Sequence, residues 1–135
     1  MDEMQPSPGP QRVAATALAL IAVGAAAALL QFTGLGWTPF HTRGEPREAV
    51  VVQDLVARGD WILPRRNATQ LPRKPPLFYW LAGAAAQVRG AVDEASVRLP
   101  SALLSAAAAL LLTLAVSLSL TPRAGALAGL MLLTS

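Results

Sequence analysis

The sequence predicts an all-α integral membrane protein: a multi-span helical bundle fragment with two juxtamembrane surface helices in its first loop. Three observations predict it. Apolar residues make up 53% of the chain and charged residues 14%, against roughly 25% charged in a typical soluble domain. The apolar residues come in long uncharged runs, as membrane spans require. Charge is concentrated instead: Lys and Arg number 11 and Asp and Glu 8, and most fall between Arg43 and Lys74.

Composition also excludes. There is no cysteine, hence no disulfide framework and no thiolate metal site. With one histidine, a site built on several imidazoles is ruled out within this chain. The isoelectric point near 10.6 reflects a net charge of only +3, too small and too scattered to point to nucleic acid. Basic residues beside a bilayer more often meet membrane lipids.

Residues 1–12 read as a disordered tail, polar and rich in proline and glycine. The first transmembrane helix is placed at 13–35, where Val13 to Phe32 carries no charge. That run crosses a hydrocarbon core of roughly 30 Å at 1.5 Å per residue. Ala25-Ala26-Ala27 offers a signal-cleavage pattern, but Asp2 and Glu3 stand against a single Arg12, and the apolar run exceeds a signal's usual length. A long loop follows at 36–98. Trp37 and Phe40 suit the membrane–water boundary, and His41 beside them reads as a surface histidine.

Within the loop, 45–58 reads as a short helix. Pro46 fits its first turn, Glu48 and Arg58 match the dipole at its two ends, and Gly59 stops it. Val51, Val52, Leu55 and Val56 form one apolar stripe, so the helix should lie along the surface. Residues 59–72 are irregular, with Trp61 and Ile62 as interfacial anchors. Asn67-Ala68-Thr69 matches the glycosylation pattern incidentally. Pro75-Pro76 leads into a second short helix at 77–89, opened by Phe78-Tyr79-Trp80 as a further interfacial signature and closed by Gly90. The second span is placed at 99–120, with Pro100 in its first turn. Thr121-Pro122-Arg123 reads as a tight turn, and 124–135 as the start of a third span, too short to cross. The chain is therefore expected to be the N-terminal part of a longer membrane protein. Charge leaves its orientation open, because the loop is long enough for the positive-inside rule to lose force.

Two positions in the loop carry candidate chemistry. Glu45 sits at the partly positive start of a helix, where a carboxylate stays ionised and can act as a general base or hold a divalent cation. It can equally be a helix-start residue and nothing more. Lys74 sits before two prolines and an aromatic cluster, where a lysine reaches a lipid phosphate or simply snorkels. Arg65, Arg66 and Arg73 add to a basic patch that is otherwise a solvated face.

These residues carry a resemblance. The order R-G-E-P-R-E-A from Arg43, G-D-W-I-L-P-R from Gly59, K-P-P-L-F-Y-W from Lys74 and A-S-V-R-L-P-S-A-L from Ala95 resembles the N-terminal region of a family of multi-span glycosyltransferases. They are the bacterial relatives of the protein O-mannosyltransferases and of the lipid A aminoarabinose transferase, with the class C membrane fold. The resemblance implies a bacterial cytoplasmic (inner) membrane location and a first loop outside the cytoplasm. It implies a sugar donor on a polyprenyl phosphate and transfer with inversion. It implies Glu45 as the catalytic carboxylate, at a pair that is often Asp-Glu in the family but Gly44-Glu45 here. It implies Lys74 as the donor-phosphate contact; by charge alone, Arg47 could join it in stabilising the leaving phosphate. Glu48, where the family often has Tyr, could supply the lost carboxylate, and Tyr79 stands as a further supporting position. The chain alone is then expected to be inactive in transfer. A different class of reading remains: a small non-enzymatic membrane protein whose basic loop binds lipid or a partner.

Overall fold

The computed structural model describes residues 9–40, 44–67, 69–72 and 74–135. Residues 1–8 of the tail, His41, Thr42, Arg43, Ala68 and Arg73 lie outside the described residues. The described chain is helical, with five α-helices and no strand beyond an isolated bridge between Arg66 and Gln70. It divides into two units, one of residues 1–31 and 104–135, the other of residues 32–103.

In the first unit, α1 spans Pro10–Ala27 and continues as a π-helical turn over Ala28–Phe32. Together they make 23 apolar-rich residues, about 34 Å at helical rise, enough to cross a bilayer core. Pro10 opens the helix, where a missing N–H costs nothing. The wider turn carries Gln31, whose amide donates to Ser105 Oγ and the Leu133 carbonyl, each at 3.4 Å. The second long helix, α4, spans Glu94–Ser119. Its Ser117 and Leu118 carbonyls, and that of Leu120 just beyond its end, accept from the Arg12 guanidinium at 2.8 to 3.1 Å. A cation there satisfies orphan carbonyls and complements the helix dipole. The last helix, α5, spans Pro122–Leu133.

The core of this unit is Val23 and Ala27 from α1, Ala109 from α4 and Leu133 from α5. Close approach depends on Gly125 and Gly129 of α5. A Cβ on Gly125 would fall on Ser117 Oγ and the Thr113 carbonyl; one on Gly129 would fall on Thr113 Oγ1 and lie 3.1 Å from the Ala109 carbonyl. Small residues at such contacts let helix backbones approach where no hydrophobic driving force exists in lipid. The large side chains face outward instead, among them Leu18, Ile21, Leu111, Leu127 and Met131. Exposed leucines on two helices long and apolar enough to cross a bilayer fit lipid and not water, so the protein is a membrane protein.

The second unit contains α2, Glu45–Arg58, and α3, Pro76–Arg89. Both end on left-handed glycines, Gly59 at φ 70° and Gly90 at φ 76°, which close a helix at no Cβ cost. The apolar stripe of α2 packs on α3, and Val51, Val52 and Leu55 meet Tyr79, Ala82, Ala86 and Val97 in one core. Gly83 makes the contact close: a Cβ there would lie 2.9 Å from Leu55 Cδ2 and 3.0 Å from Trp61 Cη2.

Four local expectations are corrected. α4 starts at Glu94, not Leu99, because Asp93 and Ser96 cap it reciprocally. Ser96 N–H donates to Asp93 Oδ1 at 2.8 Å, and Asp93 N–H donates to Ser96 Oγ at 3.0 Å. Pro100 is thereby inside the helix and not in its first turn; it has no N–H for the Ser96 carbonyl. Thr121-Pro122 begins α5 instead of forming a turn outside it, since Thr121 Oγ1 accepts from the Ala124 N–H at 3.2 Å. Trp61 and Tyr79 are core residues more than interfacial rings. Trp61 packs toward Gly83 and Tyr79 is fully buried, because a helical periodicity cannot turn three successive aromatics to one side.

Candidate functional site

The two short helices bring the loop's charged side chains together in two groups. One centres on Glu45, at the start of α2. Its Oε1 accepts from Arg98 Nε at 3.2 Å and its Oε2 from Arg98 Nη2 at 3.1 Å. The remaining Arg98 donors reach the carbonyls of Leu35 at 3.0 Å, Thr38 at 2.9 Å and Pro39 at 3.1 Å, and Thr38 Oγ1 at 3.0 Å. Arg98 comes from the second turn of α4 and also lies over the Phe40 ring, at 5.7 Å. A fork-to-fork pair of this kind is both strong and geometrically specific. Arg98 thus fastens residues 35–39 and the start of α2 to one point. Its sequence motif, A-S-V-R-L-P-S, was legible, but its role was not: every partner lies more than 50 residues away.

The other group centres on Glu48, one turn further along α2. Lys74 Nζ stands 3.7 Å from Glu48 Oε1 and 4.8 Å from the Phe78 ring centroid. The buried Tyr79 hydroxyl donates to Glu48 Oε2. Burial pushes the Tyr79 phenol above its ordinary range, and the hydrogen bond to the Glu48 carboxylate and that carboxylate's charge push it further. The phenol therefore remains a donor, and Glu48 remains the acceptor.

Two hollows open beside this group and share a wall. The smaller, about 220 Å³, is lined by Glu45, Glu48, Lys74, Phe78, Arg98 and Ser101, among others. The larger, about 660 Å³, is lined by Arg47, Glu48, Val51, Arg66, Gln70 and Tyr79, among others. Gly44 and Glu48 line both. The structure therefore brings Glu45, Glu48 and Lys74 to one hollow, Tyr79 to Glu48, and Arg47 to the other hollow. Among the described residues, no group of three His, Cys, Asp or Glu side chains is placed to hold a metal ion.

The two carboxylates are held very differently. Glu45 is gripped at both oxygens by a guanidinium with little exposure. Lys74 is half exposed, and an ion pair of that kind contributes no more than about 1 kcal/mol. The Lys74–Glu48 pair is therefore the looser of the two, and the Arg98–Glu45 pair the more firmly held.

No curated protein and no solved structure matches the chain. Residues 73–135, from beside Lys74 through Arg98 to the end of α5, match the family model described as dolichyl-phosphate-mannose-protein mannosyltransferase. Over that stretch, less than half of its length, the chain is similar to membrane glycosyltransferases of the mannosyltransferase type.

Proposed function

We propose that the chain carries the donor-side site of a membrane glycosyltransferase that moves a sugar from a polyprenyl-phosphate donor onto a hydroxyl acceptor with inversion. The observation that carries it is the Lys74–Glu48–Tyr79 group on the wall between two hollows. The match to dolichyl-phosphate-mannose-protein mannosyltransferases makes polyprenyl-phosphate mannose the donor to try first and a protein hydroxyl the first acceptor. The loop then faces outside the cytoplasm, and a bacterial inner membrane is the proposed setting.

The chemistry follows from charge. As the anomeric carbon–oxygen bond breaks, the phosphate oxygen keeps the electron pair and the sugar gains positive character, as in glycoside hydrolysis. Lys74 offsets the growing negative charge on the phosphate. The acceptor oxygen attacks from the opposite face and its proton passes to a carboxylate. That carboxylate is Glu48 in this reading, since phosphate binding at Lys74 would release Glu48 from its ion pair. Tyr79 would hold the Glu48 side chain in place. Glu45, the residue favoured from sequence, becomes an anchor for Arg98.

The test is transfer from polyprenyl-phosphate mannose by the full protein in proteoliposomes. Glu48→Gln is expected to lower turnover about 100-fold or more, the usual contribution of a general base. Lys74→Ala should lower it at least tenfold, with only partial return in Lys74→Arg, because a planar fork does not replace a point charge. Full activity in both Glu48→Gln and Lys74→Ala would sink the assignment and favour a lipid-binding role in which charge matters but identity does not.

A further inference from the structure

At the end of the first unit away from the loop, a positive charge and an apolar groove coincide. Among the described residues of this unit, Arg12 and Arg123 are the only charged side chains. No described carboxylate side chain of the unit balances them. Arg12 stands in the first turn of α1. Its Nη2 turns to the carbonyls of Ser117, Leu118 and Leu120. A guanidinium has five N–H donors, so those on Nε and Nη1 are left over. Arg12 also lines one end of a groove of about 270 Å³ between α1 and α4. Val13, Ala17 and Leu20 form one side of it, and Leu114 and Leu118 the other. The one hydroxyl in its lining, on Thr16, donates to the Arg12 carbonyl at 2.9 Å. The rest of the groove is hydrocarbon, and Val13, Leu114 and Leu118 are exposed.

From this we propose that the groove seats one acyl chain of an anionic phospholipid, with the headgroup phosphate on Arg12. An anionic lipid supplies the negative charge that this end lacks. Its phosphate oxygens suit the guanidinium donors left over. Along α1 the groove runs from Val13 to Leu20, about 10 Å at helical rise. That is most of the depth of one leaflet of a core roughly 30 Å thick. An acyl chain follows the two helices over this depth and leaves its headgroup at the boundary, where Arg12 opens the groove. A helix about 10 Å across would need roughly three times the groove's volume over the same length, so the groove suits a flexible chain instead. The glycines that admit close helix packing, Gly125 and Gly129, are turned inward against α4. The bound lipid fastens the start of α1 to the end of α4, the two ends that Arg12 already ties. The site lies wholly within the first unit and is independent of the donor reading.

The experiment is native mass spectrometry of the full chain in neutral detergent, titrated with phosphatidylglycerol or with phosphatidylcholine of the same acyl chains. One phosphatidylglycerol is expected to be retained at least tenfold more tightly than phosphatidylcholine. Arg12→Gln keeps an amide donor for the α4 carbonyls but removes the charge. It should bring phosphatidylglycerol to the phosphatidylcholine level. Ala17→Phe fills the groove from an exposed position and leaves Arg12 in place. It should weaken phosphatidylglycerol retention at least tenfold. Circular dichroism checks that helix content is unchanged in both variants. Equal retention of the two lipids by the unaltered chain overturns the proposal, and so does a preference that survives either substitution. A groove filled by a second copy would show as a dimer that Ala17→Phe dissociates. One filled by residues 1–8 would retain phosphatidylglycerol only after their removal. Either result also overturns the lipid site.

Discussion

Glu48 is held by a lysine that can be drawn away and by a tyrosine that cannot easily ionise. Tyr79 is the chain's single tyrosine, so its titration can be read directly by ultraviolet absorbance. Its folded value lies above the ordinary 10.0, with burial the largest cause and the Glu48 hydrogen bond the next. The sign follows: the neutral phenol is favoured in the folded state. The stabilisation is complete below pH 10 and is lost as pH rises through the raised value. Phenolate absorbance should therefore appear only well above pH 10, and Glu48→Gln should move it part of the way down, since burial remains. A midpoint at the ordinary value would show that Tyr79 is not buried against Glu48. At this scale the sequence was partly legible. Lys74 stood out because two prolines and aromatics flank it. Which cation each of Glu45 and Glu48 meets was not legible, because Arg98 and Lys74 are distant in sequence.

Helix ends account for most of what the sequence disclosed about the elements. Pro46, Gly59 and Gly90 are local signals, and each acts within one turn of itself, so α2 and α3 could be read directly. The start of α4 could not, because the capping residue is Ser96 where the usual pattern has Glu or Gln. Its polar first turn was assigned to the loop. Asp93 does double duty there, accepting from Arg89 Nη2 at 2.7 Å as well as capping. The Arg89 hydrogen bond holds its carboxyl below the usual range, so this stabilisation is present at neutral pH and is lost as pH falls below the ordinary 3.8. Asp93→Ala should cost the cap about 1 kcal/mol. Amide hydrogen exchange at Ala95 to Val97 should then accelerate roughly fivefold where local opening governs it. Unchanged exchange would mean that α4 does not depend on its cap.

For the molecule as a whole, hydropathy disclosed the spans but not what packs them. Exposed leucines and buried alanines and glycines are the pattern of helices that meet lipid outside and one another inside. The contact that decides the first unit is the seating of Gly129 against Thr113 and Val23. Gly129→Leu should destabilise that unit by about 1–3 kcal/mol through overpacking. Leu127→Ala, on an exposed position of the same helix, should change it by no more than about 0.5 kcal/mol. Thermal unfolding in detergent compares the two, and an equal effect would deny the packing role of the glycine. The Arg98 clamp has a further consequence, in the time order of synthesis. Glu45 and Arg98 are 53 residues apart, and a chain grows at roughly 5–20 residues per second. The start of α2 therefore waits roughly 3–10 s after Glu45 is made before Arg98 exists to fasten it. A ribosome that stalls between these two residues leaves a nascent chain whose smaller hollow lacks its Val97, Arg98 and Ser101 wall, exposed to whatever chaperone or protease meets it first.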